Sequence, residues 1–137
     1  MDVDAGCPVC RAVRGDPPGP VIYDDGLWRV TPAPDPVTAP RGLVLTTVRH
    51  VPSLAELSGA EAAALGPLLA RLAAALQAET GANRVDVATF ADTPADEARH
   101  LCLHLIPRGP GAPAVRDTVA LARRVADRLR AHRERAV

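Results

Sequence analysis

The sequence predicts an α+β fold, in which an antiparallel sheet of about five strands packs against two main helices. Polar and aliphatic residues alternate through residues 100–106, which is typical of a strand with two different faces. Leucines recur at helical spacing between residues 58 and 79, which predicts an amphipathic helix. The pair Asp25-Gly26 separates two β-prone runs and indicates a hairpin. At 137 residues, the chain is expected to form a single domain over 1–137.

The remaining strands follow in order along the chain. Residues 21–24 and 27–30 form the predicted hairpin, and residues 43–47 and 84–90 each have strand character. Between them, residues 31–41 contain four prolines, so we expect neither a central strand nor a helix there.

Helix boundaries are also marked in the sequence. Ser58-Gly59-Ala60-Glu61 has the spacing of a capping box, and Gly81 is a plausible stop. Gly66-Pro67 lies inside this helix and predicts a kink or a separate short first piece. A final helix is predicted over about 115–135, whereas residues 11–20 are rich in Arg, Gly and Pro and read as a loop.

Composition limits the classes of partner. Sixteen basic residues balance sixteen acidic ones and aromatic residues make up 2%, so we expect no nucleic acid polymer as partner. We expect no membrane association, because we find no apolar run long enough to span a bilayer. The first residues lack a basic, apolar leader, which favours a cytoplasmic protein with reduced thiols.

Two groups of residues carry candidate chemistry. In a strand, His100, Cys102 and His104 share one face, which is either a reactive site or an ordinary half-buried surface. Cys7 and Cys10 have the Cys-x-x-Cys spacing of two zinc ligands. The alternatives are a redox pair or two unrelated thiols. A redox pair usually lies between a strand and a helix, and no strand is predicted before Cys7.

This arrangement resembles the histidine triad family of nucleotide hydrolases and transferases. The matching parts are Cys-Pro-Val-Cys at 7–10, the hairpin at Asp25-Gly26, the strand running into Arg49-His50-Val51, the long helix, and the strand ending in His-Leu-Ile-Pro-Arg. The family signature alternates three histidines with apolar residues, and here it is His100-Leu-Cys102-Leu-His104-Leu-Ile. Two of its three histidines and all of its apolar positions match. The resemblance implies a homodimer that acts on a small-molecule substrate.

The resemblance also implies a complete zinc site. In members with the N-terminal cysteine pair, the metal takes both thiolates, the His after the second conserved strand, and the first His of the triad. These positions correspond to Cys7, Cys10, His50 and His100. Four protein ligands leave no open position, so the expected zinc is structural. It would attach an N-terminal zinc-binding segment, residues 1–20, to the strand of the triad.

The nucleophile of the family is replaced. The middle His of the triad attacks the α-phosphorus in the family, and Cys102 stands there in this chain. A thiolate is a good nucleophile and His104 is close enough in sequence to assist it. The ordinary nucleotide chemistry is not expected, because a thiol does not reproduce the nucleotidyl-imidazole intermediate.

The phosphate loop of the family is altered as well. Neutral residues that bind phosphate precede the triad in the family, whereas Asp96 and Glu97 stand there in this chain. Carboxylates repel phosphate, although Arg99 is a nearby compensating charge. The family's Asn after the preceding strand corresponds to Thr89, and its ribose-binding acid to Asp35.

Three functions are consistent with this sequence. The first is an enzyme that uses Cys102 and His104 on a non-standard, amine-containing substrate. The second is a weak nucleotidyl hydrolase or transferase. The third is a non-catalytic, zinc-stabilised binding protein. Changes in both the nucleophile and the loop favour the first and third functions over the second.

Overall fold

A single antiparallel sheet organises the structure. The computed structural model describes residues 7–15, 20–33, 42–89, 99–109 and 118–136. The strand order is β1-β2-β3-β5-β4 and every neighbouring pair is antiparallel. The strands are β1 Tyr23–Asp24, β2 Trp28–Pro32, β3 Leu43–Thr47, β4 Arg84–Ala88 and β5 Cys102–Arg108. The predicted α+β class and five-strand sheet are confirmed.

Two long helices cover one face of this sheet. They are α2, Gly59–Thr80, and α3, Thr118–Ala136, while a shorter α1, Pro8–Arg14, lies at the N-terminal end. A single 3-10 turn at Leu54–Glu56 precedes α2. The sheet and the two long helices bury one continuous core, whose large members are Trp28, Val30, Leu43, Leu45, Leu68, Leu72, Leu76, Leu103, Leu105, Leu121, Val125 and Leu129.

Strand β5 has one buried face and one half-buried face, because its side chains alternate with a period of two. Leu103, Leu105 and Pro107 are buried, whereas Cys102 and His104 alternate with them and are half-buried. Successive side chains of a strand point to opposite faces. The face of β5 that carries Cys102 and His104 is therefore the face turned away from α2 and α3.

Helix α2 begins as the sequence predicts but has no break at its proline. Ser58 is the N-cap, its hydroxyl accepts from the Glu61 N–H at 3.1 Å, and Gly81 ends the helix with φ 75°. The prediction of a separate short first piece is wrong, because one helix runs from Gly59 to Thr80 with Pro67 inside it. Pro67 lies on an exposed turn of α2, so the helical carbonyl that it leaves without a donor can bond to water.

Helix α2 is unusually long and apolar for this chain. The helix has 22 residues with a mean hydropathy of 1.3, so it is long and apolar enough to cross a membrane. The sequence analysis did not predict such a span, because charged residues interrupt the apolar residues of this helix. Leu68, Leu72 and Leu76 lie in the core, as they do in core helices of soluble proteins.

Strand β2 extends two residues into the proline-rich segment. Pro32 pairs with Leu43 of β3, so residues 31–32 are strand, contrary to prediction. The adjacent register explains why this is tolerated. Val30 accepts from Ile22 on the β1 side, and the missing N–H of Pro32 lies on that same side, beyond the residues with which β1 pairs.

The N-terminal segment is also more regular than predicted. Residues 8–14 form α1, where a loop was expected from residue 11 onward. Cys7 is the N-cap, and proline is favoured in the first turn that follows it because its missing N–H has no partner there anyway. Arg29 of β2 donates to the Ala12 carbonyl at 3.3 Å and holds α1 against the sheet.

Candidate metal centre and adjoining strand face

Four side chains from distant parts of the chain converge on one point. The ligand atoms of Cys7, Cys10, His50 and His100 all lie within 4.8 Å of one another. Cys10 Sγ is 3.2 Å from His50 Nδ1 and 3.5 Å from His100 Nδ1, and Cys7 Sγ is 3.5 Å from His100 Nδ1. In a tetrahedral zinc site the ligand atoms lie roughly 3.3–3.8 Å apart. The four side chains therefore fit such a site.

The fold explains why these side chains meet. Cys7 and Cys10 lie one helical turn apart at the start of α1, so their side chains lie on the same side of it. His50 follows β3 and His100 precedes β5, and these two strands pair directly. The Leu101 N–H donates to the Val51 carbonyl at 2.7 Å and ties the two histidine segments together.

The two imidazole rings are held in different orientations. They make an edge-on contact, with centroids 5.1 Å apart and planes at 89°. His100 Nε2 lies 2.7 Å from the Thr47 carbonyl oxygen and 3.1 Å from the Thr47 hydroxyl. Because a carbonyl only accepts, Nε2 carries the proton and the lone pair of His100 is on Nδ1. That is the nitrogen facing the thiols, as in metal sites whose histidine donates its other N–H to a carbonyl.

The electrostatics of His100 also suit a metal ligand. Burial lowers the pKa of His100 below its usual range, and the nearby His50 lowers it further, although the hydrogen bond to Thr47 acts in the opposite direction. Lowering the pKa favours the neutral imidazole, which is the form that binds metal. Cys7 and Cys10 are buried at 0% and 1% exposure, so the donor set is also shielded from water.

Cys102 and His104 lie beside this cluster and outside it. Among the described residues, the group able to hold a metal consists of the four side chains above. Cys102 pairs with Thr46, and His104 lies between Val44 and Ala88 of the neighbouring strands. The Cys102 thiol donates to the His100 carbonyl at 3.5 Å. Of the three side chains predicted to share one face, His100 thus belongs to the candidate metal cluster, whereas Cys102 and His104 lie outside it.

The other predicted contact residues are only partly described. Arg99 is exposed immediately before His100, and Thr89 is exposed immediately after β4. Since β4 and β5 pair through Ala88 and His104, Thr89 lies near the same end of the sheet as the metal cluster. Asp35, Asp96 and Glu97 lie outside the described residues.

Comparison with known proteins gives a clear structural relationship. No protein-family sequence model matches the chain, and no curated protein matches it in sequence. A zinc-bound histidine triad family protein from Mycobacterium smegmatis, 26% identical, superposes with a TM-score of 0.71 over 96% of this chain and 97% of the other. The chain therefore has the fold of histidine triad family proteins, and the resemblance predicted from its sequence is confirmed.

More distant members share the fold. A HIT-like protein from Bartonella henselae, described as involved in cell-cycle regulation, is 17% identical with a TM-score of 0.72 over 92% of this chain and 98% of the other. A hypothetical histidine triad nucleotide-binding protein from Sulfolobus tokodaii is 13% identical with a TM-score of 0.67, over 91% and 93% of the two chains. At these identities the likeness concerns the fold alone.

The sequence analysis missed two residues that support this candidate metal site. Thr47 acts through its backbone carbonyl, which leaves no mark on residue type. Glu61 was recognised only as part of a capping box, yet its carboxylate also receives the guanidinium of Arg49, the neighbour of His50. The charged residue directly before His50 was the available signal, but its partner twelve positions later was not predictable.

Replacing one cysteine of the cluster tests the metal site. We expect about one zinc per chain by elemental analysis, and we expect Cys7→Ser to lose most of it. The variant should also have a lower Tm, because the free energy of metal binding is part of the folding free energy. Cys102→Ser is the matched control and should keep its zinc. Wild-type protein that holds no zinc when prepared without chelators would refute the assignment.

Proposed function

We propose that this chain is a divergent histidine triad enzyme, a hydrolase or transferase, in which Cys102 is the nucleophile and His104 the acid or base. The observation that carries this proposal is the place of Cys102. Its thiol is half-buried, lies on the face of β5 turned away from α2 and α3, and is not part of the metal cluster. By the resemblance in sequence, Cys102 corresponds to the nucleophile of the family.

In this proposal a structural zinc ion is held by Cys7, Cys10, His50 and His100. These residues form a closed set of two sulfurs and two nitrogens, so the ion supplies rigidity and no open position for substrate. The site attaches α1 to the sheet beside Cys102. His100 is committed to the metal, which leaves Cys102 and His104 for the reaction.

The proposed reaction proceeds in two balanced steps. The Cys102 thiolate forms a bond to an electrophilic acyl or phosphoryl centre, the bond to the leaving group breaks, and His104 gives the leaving group its proton. Water or an acceptor then attacks the covalent intermediate, and His104 takes its proton while the sulfur leaves as thiolate. No oxidant or reductant is needed.

The substrate is proposed to be a small molecule with an amine. Two carboxylates, Asp96 and Glu97, replace the neutral residues that bind phosphate in the family. They would attract a cationic group and repel an anionic one. Arg99 and Thr89 remain proposed substrate contacts near the end of the sheet that carries the metal cluster, and Asp35 remains a proposed contact from its position in the sequence.

A non-catalytic binding protein is the second candidate. It is favoured by the hydrogen bond from the Cys102 thiol to the His100 carbonyl, because a thiol held as a donor is a satisfied polar group as well as a latent nucleophile. The face of β5 that carries Cys102 and His104 would then bind a ligand without reaction. Labelling of the thiol distinguishes the two candidates.

A homodimer in the cytoplasm completes the proposal. In the described part of the chain β4 is an edge strand, and Val87 on it is 46% exposed, which supports association along this edge. A reducing compartment would keep the three thiols available. Sedimentation of the zinc-loaded protein as a monomer would remove the dimer from the proposal.

Alkylation by iodoacetamide at neutral pH tests the nucleophile. In zinc-loaded protein we expect Cys102 to be labelled while the metal protects Cys7 and Cys10, with peptide mass mapping as the measurement. His104→Ala should slow labelling of Cys102 roughly tenfold, a modest part of the range for acid–base assistance. Ile106→Ala is the matched control on the same strand face. Labelling that occurs only after denaturation would instead support the binding protein.

Titration with adenosine monophosphate tests the substrate class. We expect weak heat signals and no micromolar affinity at physiological salt, because the loop acids oppose phosphate. Cys102→His combined with Asp96→Gln and Glu97→Ser should recover phosphoramidate hydrolysis, measured by release of the nucleotide. If Cys102→His alone recovers the same rate, the acidic loop has no role in selecting the substrate.

A further inference from the structure

A buried carboxylate in the first turn of α2 does more than cap the helix. Glu61 is 2% exposed, and its Oε1 accepts the Ser58 N–H at 2.8 Å, which completes the capping box. The same carboxylate also accepts two bonds from Arg49, from Nη2 at 2.7 Å and from Nε at 3.2 Å. A capping box requires only the first of these contacts. The fork from Arg49 therefore needs a separate explanation.

Arg49 immediately precedes the metal-cluster residue His50, and its neighbours are also restrained. Its Nη2 donates to the Glu56 carbonyl at 3.1 Å. On one side the Val48 N–H donates to Leu27 at 2.9 Å, and on the other the Val51 carbonyl accepts from Leu101 at 2.7 Å. His50 is thus held between a side-chain anchor before it and a backbone anchor after it.

Glu61 is itself fixed to the sheet. The indole N–H of Trp28 donates to the Glu61 carbonyl at 2.9 Å, and Trp28 is fully buried in the core. The backbone of Glu61 is therefore held by the core on one side while its carboxylate faces Arg49 on the other. A carboxylate anchored in this way can resist displacement of the guanidinium, since a bidentate Arg pair fixes both distance and plane.

We propose that Glu61 is a positioning residue of the metal site, acting through the Arg49 fork to hold His50 where it can bind zinc. The inference rests on the zinc site of the proposed function. A ligand held in place before the metal arrives loses less conformational entropy on binding than a mobile one. Residues that orient metal ligands commonly change metal affinity tenfold or more when replaced.

Three variants separate this role from simple stabilisation of α2. Glu61→Gln keeps an acceptor for the capping box but loses the charged fork. Ser58→Ala loses the hydroxyl cap and keeps the fork. Glu79→Gln removes ion pairs with Arg124 and Arg128 near the other end of α2, 18 residues or roughly 27 Å away. The last two lower stability without touching His50.

Competition with a chromophoric chelator gives the zinc Kd of each folded variant. We expect Glu61→Gln to weaken zinc binding about tenfold, with Ser58→Ala and Glu79→Gln within about twofold of wild type. Arg49→Lys keeps the charge but loses the fork, so it should weaken binding similarly. The double variant Arg49→Lys with Glu61→Gln should be no weaker than either single one, because both remove the same contact. Cobalt-substituted protein should show a changed visible spectrum in these two variants only.

The outcomes separate the two proposals. Wild-type zinc affinity in both Glu61→Gln and Arg49→Lys overturns the positioning role and leaves the zinc site intact. Equal weakening in Glu79→Gln also overturns it, since the effect would then follow stability. If Glu61→Gln does not fold, Arg49→Lys carries the test by itself. A wild-type chain without zinc overturns the zinc site first and this inference with it.

Discussion

Two thiols and two imidazoles meet where β3 ends and β5 begins, and the rest of the candidate functional face depends on this contact. Cys7 and Cys10 come from a helix of seven residues, which is too short to be stable by itself. The side chain of Arg29 donates a hydrogen bond to a backbone carbonyl of this helix. The two cysteines also lie against His50 and His100. In a zinc-loaded protein the metal would supply most of that attachment.

The two faces of β5 have different roles: one packs into the core and the other carries the candidate functional side chains. Leu103 and Leu105 bury themselves beneath α2 and α3, and their removal from water stabilises the fold. The alternate residues lie outside that core; they are the candidate metal ligand His100, the thiol of Cys102 and the imidazole of His104. Because a one-residue shift of register would exchange these faces, the leucines that pack the core also position the reactive side chains.

Much of this architecture was predictable because it depends on local patterns. The period of β5, the capping box at Ser58 and the left-handed stop at Gly81 each lie within a few residues. The four candidate metal ligands were predicted from a resemblance to a family, since nothing local relates Cys7 to His100. The short helix α1 was missed because its first turn depends on Pro8 and on tertiary contact. The Thr47 carbonyl and the Arg49–Glu61 fork were missed because they are contacts between elements that only the folded chain brings together.

X-ray absorption spectroscopy at the zinc edge identifies which atoms of the protein bind the metal. The structure predicts a four-coordinate ion with two sulfur ligands at about 2.3 Å and two nitrogen ligands at about 2.0 Å. In that shell Cys102 is not a metal ligand. A shell with three sulfurs would place Cys102 on the metal, and a shell with an oxygen ligand would open the site, so either result would contradict the account.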